Sequence, residues 1–214
     1  MGVVAMGCGL LSPASRAAET LDRVVASVGN IAITEGEVEM EFRFENFLEG
    51  RPQEGPPGEQ DLQQASDRLM KQTLLVLEAE AEGVDASDSA AQVAQLLEQI
   101  RRSYPDAATY EAALRSTGLS ETQILERLQR HVRSLRLIDQ RLRPNAWVDQ
   151  PEIETYYEGT FVPEFLRRNK GPAPSLGEVE DQIREILVQQ KVDQLLVEWL
   201  KEIEVNRQVK VHSF

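Results

Sequence analysis

The side chains best suited to nucleophilic, metal or proton-transfer chemistry are scarce in this chain, which has one Cys, Cys8, and two His, His131 and His212. A zinc site of the usual kind needs several Cys or His ligands, and a lone Cys cannot close an intrachain disulfide. His131 and His212 lie far apart in sequence, and neither belongs to a metal-ligand motif. No loop of the Gly-x-x-x-x-Gly-Lys type is present to cradle a nucleotide phosphate. Carboxylates are plentiful but fall at helix starts and on outer faces, where solvation accounts for them. No catalytic residue, cofactor or metal is therefore expected, and the chemistry open to this chain is binding.

The charge balance narrows the partner. Asp plus Glu is 36 against 23 Lys plus Arg, a net charge of -13. Phosphate neutralisation needs a basic surface, so nucleic acid and anionic lipid are both disfavoured. Acidity is concentrated early: Glu35 to Asp61 holds nine acids against two Arg. With 41% hydrophobic residues among 214, the chain can bury a core of ordinary domain size.

The elements that would present a binding surface are mostly helices. Arg23 to Val28 reads as a short strand, Gly29-Asn30 as a turn and Ile31-Ala32-Ile33 as a second strand. Thr34 followed by Glu37 is a capping box opening a helix to about Leu48, with Glu35, Glu37 and Glu39 in its first turns. Val38 and Phe42 lie on one side of that helix, and Met40, Phe44, Phe47 and Leu48 broadly opposite. A helix with two apolar faces is either sandwiched in a core or offers one face to a partner.

After a Pro/Gly loop at Gly50 to Gly58, a second helix runs from Glu59 to about Glu82 and is apolar nearly all round at Leu69-Met70 and Leu74 to Leu77. Ser87 or Asp88 is expected to cap a third, carrying Val93, Leu96, Leu97 and Ile100. A short helix with Tyr110 and Leu114 closes at Gly118. Ser120 caps a longer one with apolar positions Ile124, Leu128, Val132, Leu135, Ile138 and Leu142. Its Arg127, Arg130, Arg133 and Arg136 form a row assigned to the outward side, where it would match nearby Glu. Pro144 to Pro151 is a linker, Glu152 to Gly159 a short helical stretch, and Lys170 to Pro174 a further break. A long amphipathic helix follows from about Leu176 to Ile203, and Val205 to Val211 alternates as a terminal strand. A lone strand needs a partner, so this strand should join the N-terminal hairpin. The expected fold is mainly α, with a small β-sheet uniting the two ends and a long C-terminal helix.

Residues 1–18 form a candidate export signal. Val3 to Leu11 is apolar but too short to span a bilayer, and Ser15-Arg16-Ala17 offers small residues for cleavage. The positive n-region is missing. Cys8, behind Ala5-Met6-Gly7, would allow membrane contact only if it were lipidated. The remainder, 19–214, is expected to be one core, with a helical region at 34–170 closed by the helix and strand of 175–214.

Three segments together carry a family resemblance. They are Leu21 to Glu37, with its Asn turn and capped helix; Leu114 to Leu128, with Leu-Arg-Ser-Thr-Gly-Leu-Ser before a helix; and Val148 to Tyr157, Val-Asp-Gln-Pro-Glu-Ile-Glu-Thr-Tyr-Tyr. In this order they resemble the SurA-like family of extracytoplasmic chaperones. In many relatives a parvulin-type peptidyl-prolyl isomerase domain stands between the Tyr-Tyr segment and the closing helix. Here 19 residues separate Tyr157 from Gly177, below the ~50-residue floor for a domain. That isomerase active site uses His residues, and no His lies between His131 and His212. No enzymatic activity is therefore carried over.

What the resemblance implies is an ATP-independent holdase in the periplasm or another extracytoplasmic compartment, binding unfolded exported or outer-membrane polypeptides. Such holding requires an apolar groove open to extended chains. Candidate groove residues are Met40, Phe44, Phe47, Tyr156, Tyr157, Phe161 and Phe165, with ordinary packing the favoured alternative for each. An acidic rim would disfavour anionic clients. The alternative is a non-catalytic interaction subunit docking on one folded envelope partner.

Overall fold

A computed structural model describes residues 22–51, 55–84 and 89–212. The candidate export signal and Cys8, and the proposed caps Ser87 and Asp88, lie outside the described residues. Strands β1 (Val24–Val28) and β2 (Ile31–Thr34) form a hairpin whose pairing closes at Val28↔Ile31. Gly29, at φ +57°, supplies the positive φ that a two-residue hairpin turn needs. Helix α1 (Glu35–Leu48) starts on the expected capping box: Thr34 Oγ1 accepts from Glu37 N, and Glu37 Oε2 accepts from Thr34 N at 2.9 Å. Asp22 adds a second cap by accepting from Gly36 N at 3.1 Å.

Then come α2 (Glu59–Ala81), α3 (Ala90–Arg102), α4 (Ala107–Thr117) and α5 (Glu121–Leu142). Asp106 caps α4, Gly118 ends it at φ +72°, and Ser120 with Gln123 forms the capping box of α5. A 3-10 turn, Arg143–Asn145, leads to α6 (Gln150–Tyr156), in which Asp149 accepts from Glu152 N and Pro151 occupies the first turn, where its missing N–H costs nothing.

The helical stretch expected to stop at Gly159 does not stop there. A π-helical turn, Tyr157–Phe161, carries the chain directly into α7 (Val162–Arg168). Helix α8 (Leu176–Asn206) opens on Ser175 and Glu178, whose carboxylate accepts from Ser175 N at 2.8 Å.

The terminal strand is shorter than the alternation of Val205 to Val211 suggests. Helix α8 continues to Asn206, and only Lys210–Val211 forms β3. Backbone hydrogen bonds from Arg207 N to Ile203 O and Gln208 N to Val205 O extend the helical path, and Gln208 at φ +52° breaks it. Val205 is left exposed on the last helical turn. The sheet order is β2-β1-β3, with Ala26↔Val211 and Ser27↔Lys210 paired antiparallel, so the two ends of the described chain meet as expected.

Three hydrophobic clusters hold these elements. The first joins the sheet, α2, the second half of α5 and the C-terminal half of α8 around Val25, Leu74, Leu137 and Trp199. In the second, α1, α3, α4 and the first half of α5 meet around Phe47, Leu97, Tyr110 and Ile124. The third packs α6 and the π turn on the N-terminal half of α8 around Ile153 and Ile183. Helix α1 is thus sandwiched: Val38 and Phe42 face the first cluster, Met40, Phe44, Phe47 and Leu48 the second. Burying each Leu, Val or Phe side chain stabilises the fold by about 1.5–3 kcal/mol, so α1 ties two cores into one unit.

The arginine row also differs from expectation. Arg127 and Arg133 are half-buried and turn inward. Arg127 pairs with Glu41, which is 1% exposed, while Arg133 Nε donates to Val84 O at 2.9 Å and closes the end of α2. Apolar stripes on α5 place these positions beside α1 and α2, so the row serves packing between helices as well as charge matching.

Candidate functional site

Where α1, α2, α3 and α5 converge, the packing leaves an open groove of about 590 Å³. Leu69, Val76 and Leu77 of α2 form one wall, Leu96 and Ile100 of α3 the other, and Phe44, Leu48 and Leu128 line the base between them. These positions are half-buried, except Phe44 and Leu128, which are buried. The reason is the surplus of apolar residues on α2. Its Leu74 and Met70 are buried in the first core, Leu69 and Leu77 pack only partly against that core, and Leu69, Val76 and Leu77 turn their remaining apolar surface to the groove.

A polar cluster lies in the floor of this apolar groove. The Glu41 carboxylate takes the Arg127 guanidinium on Oε2, and Gln72 Nε2 donates to Oε1 at 2.9 Å. The guanidinium carbon of Arg127 lies 5.1 Å from the centre of the Phe44 ring, a cation–π contact. Glu45, one turn on from Glu41, is paired with Arg68. Burial nevertheless pushes the Glu45 carboxyl above its usual range, and the neighbouring Glu41 and Glu49 charges add to this. His131 lines the groove with one side open to solvent, and desolvation lowers its pKa, favouring the neutral imidazole. Glu80 on the rim pairs with Arg133 at 3.6 Å.

The seven residues singled out from sequence are divided among different places. Phe44 lines the groove. Phe47, 2% exposed, is enclosed by Tyr104 and Tyr110 with ring centres 5.6 and 5.5 Å away, and its carbonyl accepts from Tyr104 Oη at 2.5 Å. Met40 packs on the same second core. Tyr156, Tyr157, Phe161 and Phe165 belong to the α6–α7 arm instead. There Tyr157, Phe161 and Phe165 stack in a ladder at 6.0 and 6.1 Å, and Tyr157 Oη donates to Pro174 O at 2.8 Å.

Most of the groove was missed by sequence reasoning, including Glu41, Gln72, Leu96 and Arg127. One signal was available: an α2 that is apolar nearly all round has more apolar surface than one core can cover. Among the described residues no cluster of His, Cys, Asp or Glu could hold a metal ion, and no helix is long and apolar enough to cross a membrane. Between Tyr157 and α8 the chain has only the π turn, α7 and a short loop, so no isomerase domain stands at that position.

Comparison with known proteins agrees with this architecture. Residues 2–138, covering the hairpin and α1 through most of α5, match the family described as the SurA-like N-terminal domain. The chain is 26% identical over 183 residues to a protein of Cupriavidus metallidurans named Chaperone SurA; the match covers 84% of this chain and 35% of that relative. The chain thus spans about a third of that protein's length. No solved structure matches. With more than half of its length matched, the chain belongs to the SurA-like N-terminal domain family.

Proposed function

We propose that the protein is an ATP-independent chaperone that holds unfolded exported or outer-membrane polypeptides in the groove between α1, α2, α3 and α5. The observation that carries this reading is the groove itself: about 590 Å³, walled by aliphatic side chains and open to solvent, within the region that matches the family. Its shape suits an extended segment better than a folded surface. Burial of a few client side chains at ~25 cal/mol per Å² gives weak, reversible holding, so release needs no nucleotide. Within the groove, Phe44 is the member of the expected set that contacts such a client; Met40 and Phe47 support its helix from the second core. The aromatic ladder of the α6–α7 arm is a second, separate contact surface in this proposal.

Residues 1–18 act as the export signal, and the working compartment is extracytoplasmic. The protein performs no catalysis of its own. In the test, a membrane β-barrel protein is diluted from denaturant with and without the purified chain. Suppression of aggregation at near-stoichiometric ratios supports the proposal. No suppression together with no binding to unfolded chains sinks it.

A further inference from the structure

The floor of the groove has a donor surplus. Arg127 uses Nη1 for Glu41, and among the described residues nothing accepts from its Nε or Nη2 hydrogens. Its side chain is 16% exposed, and that exposure opens into the groove. A guanidinium carries five N–H donors in a fixed fork, and with Nη1 engaged by Glu41 the remaining donors are available to a chain in the groove that Arg127 lines.

From this geometry we infer that Arg127 donates hydrogen bonds to main-chain carbonyls of an extended polypeptide lying in the groove. This deepens the chaperone reading and rests on it. Two arguments choose a neutral carbonyl over a carboxylate. The charge of Arg127 is already matched by Glu41, so an incoming carboxylate would find no unbalanced positive charge on it. An extended chain pressed against Val76, Leu77 and Leu96 must also remove its peptide groups from water. A carbonyl left unpaired there loses its hydrogen bonding to solvent. Free donors in the floor remove that penalty, and they do so whatever side chains the client carries. Glu41 and Gln72 are positioning residues: together they hold the fork in place, and the apolar walls supply the contact area.

The test compares the wild type with the double variant Glu41→Gln/Arg127→Met, which removes both charges and leaves an acceptor at position 41 for Gln72. Three fluorescent apolar peptides of unrelated sequence serve as probes, with urea midpoints measured to confirm folding. The expected result is a loss of about tenfold in Kd, ~1.4 kcal/mol, by the same factor for all three. A second variant, Arg127→Lys, keeps the ion pair but lacks the fork, and should lose affinity to a smaller degree. Replacing peptide amides one at a time by esters, which are weaker acceptors, should weaken wild-type binding at one position and leave the double variant indifferent. Equal binding by wild type and double variant overturns this inference alone, as does a loss that depends on peptide side chains. A wild type that binds none of the peptides overturns the groove reading and this inference with it.

Discussion

Replacing Arg127 by Met strands Glu41, whose side chain is 1% exposed and would keep a single polar partner, Gln72, at 2.9 Å. Breaking a buried ion pair from one side costs about 3–5 kcal/mol, chiefly because the remaining charge has lost its solvation and its counter-charge. The groove lets some water approach, so the lower end applies, about 3 kcal/mol. For a chain of this size that corresponds to a fall of roughly 6–12 °C in Tm. Adding Glu41→Gln to the same protein removes the stranded charge while preserving volume, and the double variant should return to within ~1 kcal/mol of wild type. Urea unfolding followed by far-UV circular dichroism measures both, and an unchanged m-value shows that stability alone has moved. A single variant within ~0.5 kcal/mol of wild type would refute the reasoning, because it would mean that Glu41 is solvated.

Other outcomes follow from the same packing. Leu74→Ala, at a position fully buried between the sheet and α8, should cost ~2–5 kcal/mol by thermal melting, whereas Trp147→Ala, at 72% exposure, should stay within ~0.5 kcal/mol. Gly118→Ala places a Cβ at φ +72° and should cost about 1–2 kcal/mol in a urea titration. The Glu152 carboxyl is held below its usual range by Lys191 and the Asp149 N–H, so its contribution is present above the ordinary Glu pKa and lost as pH falls below it. Glu152→Gln should therefore lower stability slightly in the neutral range, leave it unchanged in strong acid, and so flatten the acid limb of the stability–pH profile. Val76→Glu, on the groove wall away from the cores, should abolish peptide binding while leaving the circular dichroism spectrum unchanged.

Local signals made much of the fold legible. The Thr34–Glu37 capping box, the Gly29-Asn30 turn and the periodic apolar stripe of α5 each specify structure through neighbours in sequence, and each element forms where they place it. The small sheet was legible for a different reason, that an isolated strand requires a partner. The terminal segment departs from its alternating pattern because alternation over a few residues competes with an already propagating helix, and α8 continues through Val205. The π turn left no comparable trace, since Gly159 within a helical path reads as a stop.

The groove was the least legible feature. Its floor depends on Glu41 and Arg127, 86 positions apart, and its walls depend on how far α3 stands from α2. Arg127 could not be told from a solvated arginine until α1 was seen to pass beneath it. Conversely, Phe47 and Phe44 share one helix face in projection, yet three positions along the axis separate an enclosed aromatic cluster from an open groove.

Site-specific photo-crosslinking addresses the central claim most directly. A photoreactive amino acid is placed at Val76 on the groove wall and, as a control, at exposed Glu198 on α8, and each protein is irradiated with an unfolded membrane β-barrel polypeptide. The account predicts strong adducts from position 76 and background from 198, with the signal at 76 competed away by an apolar peptide. Adducts from 198 alone, or equal yields from both positions, would contradict it.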